Sequence, residues 1–503
     1  MNKLCADFAN TPDNIIGIEF DNNMHLPIRA IQFGKGNFLR AFVDWMIDIA
    51  NGQGIFNGRI LSVQPIEVGI TELLNKQDGL YTVLQRGIEN GSNVVSKRLI
   101  SSMARSINPY TEYADYLAAA ENPDLRFVFS NTTEAGIAFR GARHEPDKCP
   151  PSFPAKLTAF LHRRFHFFDA AADKGLIIVP CELIEANGDT LKKYVLRYID
   201  HWSMKPEFAQ WVRESCHFVN TLVDRIVTGY PHSEAKQLWE ELGYEDRLLD
   251  CCEPFNLFVI EGPAELEKEL PLREAGLNVI WTDDLARYRK RKVALLNGAH
   301  TSTVLLSYLG GINTVSQMVN DELFGKLTVQ IVQKEILPSL DMDENEKNSF
   351  ADSVIERFKN PYIRHELLSI SLNSVSKWKV RVLPTFKSYA GAFGTLPRLI
   401  SLSLAGLVHF YRCTEVDEGI YCGVRDGREY PVKDDKDIQR FFAGLWSGFD
   451  GDYNRLAGAV LSKKNFWGED LSKVDGFQNL LAEQLQSIDE KGVSVSIKEY
   501  LYD

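Results

Sequence analysis

From Ile28 to about Trp202 the chain alternates short runs of apolar, β-branched residues with longer stretches whose apolar residues recur every three or four positions. "IRAIQFG" (Ile28 to Gly34) and "RILSVQP" (Arg59 to Pro65) have strand character, as do the runs from Leu125 and within "GLIIVPCEL". "NFLRAFVDWMIDIAN", "FPAKLTAFLHRRFHFFDAA" and "TLKKYVLRYIDHW" have helical spacing. A β-α-β order of this kind closes only as a mostly parallel sheet with crossover helices. After about Asp284 long helical patterns take over: 292–309, 322–337, 344–358, 396–412 and 438–446. The expectation is a Rossmann-type α/β domain over 1–285 and a predominantly helical domain over 286–503, with a ligand in the cleft between them.

The first strand runs into "FGKGNF", where Gly34-x-Gly36 precedes a helix. Dinucleotide sites need this arrangement: a tight turn, close backbone approach to pyrophosphate and a helix N-terminus aimed at the anion. Phe33, Gly34, Gly36, Asn37 and Phe38 are therefore candidate coenzyme contacts. The third glycine of the usual pattern would fall at Leu39, so the motif is incomplete. The second strand ends in "SVQPIE", which offers Gln64 and Glu67 rather than an aspartate for the ribose. No arginine follows that strand to take a 2′-phosphate, and this favours NAD.

The segment "KRKVALLNGAHT" (Lys290 to Thr301) sets Lys292, Asn297 and His300 into an apolar run. Buried polar groups need partners, so these are either satisfied structural groups or they face a cleft. Asn297 and His300 are neighbours on one helical face, whereas Lys292 lies about 140° away from Asn297 on an ideal helix. The functional reading is proton chemistry at a carbinol. A lysine with a depressed pKa takes the hydroxyl proton as hydride departs, and Arg289, Lys290 and Arg291 would depress it. An asparagine amide donates to the developing alkoxide and His300 orients the substrate. Asn187 before Gly188, and Asp224 before Arg225, stand on loops that suit the same picture, or are a cap and an ion pair.

Composition narrows the partners. With 45% hydrophobic and 25% charged residues the 503-residue chain is of ordinary globular type. A net charge of −12 without a long basic run argues against nucleic acid. No signal peptide is evident, and no apolar stretch has membrane-spanning length. Eight scattered cysteines without paired CxxC spacing fit reduced thiols in a cytoplasm. His162 and His166 are spaced HxxxH but lack the glutamate of HExxH, so no metal is expected.

Together these motifs resemble the mannitol dehydrogenase family of polyol-specific long-chain dehydrogenases. Its Lys-x4-Asn-x2-His motif stands here as Lys292, Asn297 and His300, and its GxGxF turn with Arg-Ala as Gly34, Gly36, Phe38, Arg40 and Ala41. "TTEAG" (Thr132 to Gly136), Asn187-Gly188, Val223 to Ile226 and "RFKNPYIRH" (Arg357 to His365) match further family segments. The resemblance implies an NAD-dependent, metal-independent oxidoreductase with Thr133 and Glu134 on the nicotinamide side. It implies Lys292 as general acid/base, Asn187 and Asn297 holding the reacting oxygen, His300 on the substrate and Asp224 as a second-layer or substrate contact.

Two departures qualify it. Relatives carry a proton-relaying glutamate one turn before the lysine, where this chain has Arg289 and Lys290. "SVSKWKVRVLP" alternates Lys377, Lys379 and Arg381, which an extended chain would turn to one side. A sugar acid needs such cations for its carboxylate and a neutral polyol does not, so Lys377 and Arg381 are candidate substrate ligands; a solvated basic edge is the alternative.

Overall fold

The computed structural model describes residues 1–502 and divides into two compact units, Met1–Tyr288 and Arg289–Asp503. The first is built on six parallel strands: β1 (Ile28–Phe33), β2 (Arg59–Val63), β3 (Met103–Ile107), β4 (Phe127–Ser130), β5 (Ile177–Pro180) and β6 (His217–Phe218). Their spatial order is β6-β5-β4-β1-β2-β3, the 3-2-1-4-5-6 arrangement of a Rossmann sheet read from its other edge. The strand order reverses between β1 and β4, which is where such sheets bind ligands.

Both faces of the sheet are covered, so the strands are nearly all buried and read as continuous apolar runs. On one side Ala30, Phe127 and Val179 join the core of the helical run that follows β1, through Phe42 and Met46. On the other Ile31, Val128 and Ile178 pack with Leu157, Phe160 and Leu191 from the crossover helices.

Three further sheets belong to this unit and are absent from the sequence reading, the smallest pairing Asn2–Lys3 with Tyr244–Glu245. A five-stranded sheet centres on the hairpin Tyr81–Glu89 with Ser92–Ile100, and a three-stranded one comprises Asn220–Asp224, Leu257–Glu261 and Val279–Thr282. The hairpin turn is Asn90-Gly91 with positive φ at both residues, the pairing that two-residue hairpins require.

The second unit is mainly helical, as expected, but carries a small antiparallel sheet of Cys413–Asp417, Ile420–Arg425 and Arg428–Pro431. No helix among the described residues is long and apolar enough to cross a membrane.

Candidate active site

The glycine turn sits at the C-terminal edge of β1. Gly34 has φ +114°, and a Cβ there would lie 2.7 Å from the Asn131 carbonyl, so only glycine fits. Gly36 faces open space instead, the cradle that an incoming pyrophosphate requires. Leu39 stands in the core where a third glycine would bring backbones together, and it packs on Gly34. Asn37–Leu39 begins a helix that widens to a π-turn at Arg40–Asp44 and continues as Trp45–Gly52.

Buried polar groups hold this helix. Arg40 pairs with Asp250 at 3.3 Å, donates to Asn37 Oδ1 at 2.7 Å and lies over the Tyr81 ring. Arg225, from the Val-Asp-Arg-Ile motif, donates to the Ala41 carbonyl at 2.7 Å and stacks on Trp45. Asp224 is buried at the end of its strand. Asn37 is exposed at the turn, and Phe38 is half-buried against Phe42. The Phe33 ring is wholly buried against Phe153 and Tyr116, so it is the main chain of this residue that stands at the turn.

The "TTEAG" loop follows β4. Thr133 has φ +68°, a left-handed conformation costly for a β-branched residue, and Glu134 is exposed beside it. Gly136 packs so tightly on Thr132 that a Cβ would collide with it. What holds the strained turn is Glu182, missed by the sequence reading. One carboxylate oxygen accepts from the Thr132 N–H and hydroxyl, both at 2.9 Å, and the other from Ser130 at 2.9 Å. The signal was a lone glutamate directly after a buried strand. Burial pushes its pKa up.

Asn187 is 1% exposed and braces two strands. Its amide donates to the Pro180 and Glu182 carbonyls at 3.0 and 3.1 Å and to Thr221 Oγ1 at 3.0 Å; its oxygen accepts from Gly188 N and Thr221 N. A contact with a reacting oxygen would replace one of these bonds. Gly188 is required because the Val219 carbonyl occupies the place of its side chain.

In the second unit the lysine segment forms one continuous helical run, Leu285–Lys292, a π-turn Val293–Gly298 and then Ala299–Leu309. The wide turn alters the 140° separation expected of an ideal helix, because residues five apart become the bonded pair in π geometry. It thereby draws Lys292 and Asn297 towards one face. Both are half-buried, and Thr301 donates to the Asn297 main-chain carbonyl at 2.8 Å. Two of the three cations preceding Lys292 differ from expectation. Lys290 is exposed, and Arg291 is spent on Glu346 at 2.5 Å and on the face of Phe350.

His300 is the centre of a group drawn from several elements. Its ring lies flat on Phe358 (4.1 Å, 12°) and edge-on to His365 (5.6 Å, 90°), which accounts for the "RFKNPYIRH" motif. Its Nε2 is buried with no hydrogen-bond partner among the described residues. Burial first, then His365, Arg357, Arg381 and Lys377, drive its pKa well below the usual histidine range, so it is neutral at neutral pH.

Lys377 and Arg381 reach this group differently from the sequence reading. Ser374–Arg381 is a helix, not an extended strand, so Lys377 and Arg381 share a face four residues apart while Lys379 turns elsewhere. The helix packs on the π-turn at Gly298, where a Cβ would lie 3.2 Å from the Arg381 carbonyl. Burial, then Arg381, lowers the Lys377 pKa; burial lowers that of Arg381. Lys377 donates to the Ile370 carbonyl at 2.8 Å.

His162 and His166 face one another at 2.9 Å on the helix Phe153–Phe167, but among the described residues no three His, Cys, Asp or Glu side chains gather as metal ligands do.

A glycine cradle on a 3-2-1-4-5-6 sheet in the first unit, and a lysine-asparagine-histidine segment on a helix in the second, are the parts of a nicotinamide-coenzyme dehydrogenase architecture. Residues 28–274 match the mannitol dehydrogenase Rossmann domain and residues 284–489 the mannitol dehydrogenase C-terminal domain, so the chain belongs to the mannitol dehydrogenase family of oxidoreductases. Among its relatives are altronate oxidoreductases. That of Yersinia enterocolitica serotype O:8 is 46% identical over 486 residues, covering 96% of this chain and 98% of the relative. That of Escherichia coli O1:K1 is 45% identical over 476 residues, covering 94% and 96%. In fold the chain is similar to a substrate-free D-sorbitol dehydrogenase (TM-score 0.81, 21% identity, 99% and 100% covered). It is also similar to Pseudomonas fluorescens mannitol 2-dehydrogenase in ternary complex with NAD and D-mannitol (TM-score 0.70, 21% identity, 99% of each chain covered).

Proposed function

We propose that this protein is a cytoplasmic, NAD-dependent oxidoreductase interconverting tagaturonate and altronate. The observation that carries the reading is the environment of His300. A buried, unpartnered imidazole nitrogen stands among His365, Lys377 and Arg381, and cations gathered this way suit a carboxylate-bearing sugar rather than a neutral polyol. The names of the relatives point the same way. The open cradle at Gly36, the strained Thr133 loop and the exposed Asn37 would hold the coenzyme.

The coenzyme, when bound, supplies hydride to the ketone carbon. Protonated Lys292 gives its proton to the carbonyl oxygen as that carbon is reduced, so the product is the neutral alcohol and the free amine. In oxidation the amine takes the hydroxyl proton back. The Asn297 amide donates to the oxygen as charge develops, and neutral His300 fixes a substrate hydroxyl through Nε2. Arg381 and Lys377 hold the carboxylate, and Asp224 orders the substrate side. The acid–base step rests on an amine rather than on metal-bound water. Asn187 acts by holding the end of β5 in place.

The test is NADH oxidation followed with tagaturonate, fructuronate and fructose in parallel. Turnover concentrated on tagaturonate supports the reading. A preference for fructuronate moves the assignment to the mannonate pair, and a preference for fructose to a mannitol-type enzyme.

A further inference from the structure

The ribose end of the nucleotide site departs from the usual chemistry in a way that concerns coenzyme choice. Sites selective for NAD carry a carboxylate at the end of the second strand, where it accepts from the ribose 2′-hydroxyl and repels a 2′-phosphate. Here β2 ends in Val63, followed by Gln64, whose side chain is already committed. Its oxygen accepts from Lys35 and from Thr71, and its nitrogen donates to the Glu67 carbonyl at 2.8 Å. Glu67 itself is exposed.

What occupies the position is an amine. Lys35, the residue between the two glycines of the turn, is buried and directed across to β2 and β3. Its Nζ donates to Gln64 Oε1 at 2.7 Å, to Ser106 Oγ at 3.1 Å and to Thr71 Oγ1. All three partners are neutral oxygens, and the charge that acts on it from a distance is Glu112. The loop that follows β2 exposes Ile66 (64%) and Val68 (81%), an apolar shelf of the kind a purine covers.

We propose that Lys35 sets coenzyme selection, standing as a cation where a carboxylate would exclude the 2′-phosphate, so that the protein accepts NADP(H) as well as NAD(H). The cation that no residue after the second strand provides is thus delivered from the glycine turn. Burial, against Glu112, lowers the amine to about 7. A phosphate dianion beside it would draw the proton back on, so the 2′-phosphate is bound with its counter-charge in place.

The proposal rests on the nucleotide reading of the turn, and direct binding separates the two. Titration calorimetry of the wild-type protein with 5′-AMP and 2′,5′-ADP needs neither substrate nor a variant. Comparable binding of the two, within about tenfold, is expected. In Lys35→Met, 2′,5′-ADP should weaken by about tenfold or more while 5′-AMP changes little. In kinetics, kcat/KM for NADPH should fall relative to NADH by the same factor. Wild-type protein that binds 5′-AMP but rejects 2′,5′-ADP overturns the proposal and leaves the nucleotide site standing; failure to bind either overturns both. Equal weakening of both ligands in Lys35→Met makes the amine a brace of the turn and overturns it as well.

Discussion

In the proposed mechanism Lys292 moves the proton, and its removal should separate binding from catalysis. Lys292→Ala should leave NADH affinity within a few-fold of wild type while turnover falls by about 10²–10⁴, the usual contribution of a positioned acid/base. Stopped-flow hydride transfer beside equilibrium NADH fluorescence reads the two quantities apart; equal losses in both would assign the lysine to the fold. Arg381→Met should raise KM for the sugar acid about tenfold or more and barely touch fructose. At this scale the sequence was most legible where a side chain's chemistry decides its place. Asn297 and His300 stand out as polar groups in a run too apolar for them, Lys377 and Arg381 as alternating cations suited to a carboxylate, and both cations lie near enough to His300 to act on its charge. It was least legible where the main chain sets the partners. Phe33 and Asn187 lie inside motifs, yet their side chains serve the core and the strands.

At the scale of elements, alternation in "SKWKVR" suggested a strand and the structure made a helix. Three cations at every second position satisfy either period over so short a span, and packing on the π-turn settled it. Glu335 shows what sequence spacing cannot carry. It lies in another π-turn, Ile331–Ile336, and caps a different helix, accepting from the N–H groups of Leu399 and Ile400 at 2.8 and 2.7 Å.

Burial outweighs those bonds and raises the Glu335 pKa from 4.5 to about 7. The sign follows: between these values the unfolded chain is ionised and the folded one holds its proton, so stability falls as pH rises through the window. Against Glu335→Gln, which does not titrate, the wild-type protein should lose on the order of 2–3 kcal/mol from pH 4.5 to 7. Urea unfolding of both proteins across that range gives the difference, and parallel curves would refute it.

For the molecule as a whole, the six-stranded sheet could be read ahead because each β-α-β unit announces itself locally, through a buried apolar run, a polar loop and a helical period. The pairings that could not be read join distant residues. Asp250–Cys252 aligns with Val83–Gln85, and Asn220–Asp224 runs antiparallel to Leu257–Glu261. Such short segments carry no period of their own, and their partners are fixed by the finished core. Gly34 links that architecture to function. Gly34→Ala would force a side chain against the Asn131 carbonyl in a left-handed conformation, at a cost on the order of 1–3 kcal/mol. Thermal unfolding should show the loss, together with a marked weakening of 5′-AMP binding, while an unchanged melting temperature would contradict the fit.

The wide turn at Val293–Gly298 has a consequence for how this chain can vary. It behaves as a phase-setting insert, one residue more than ordinary helical pitch accommodates. Were the same residues wound as a plain α-helix instead, everything downstream would be rotated by about 100°. The imidazole would swing off Phe358 while the amine upstream stayed put. The placing of the imidazole therefore depends on this turn staying wide, and not only on which side chains it carries.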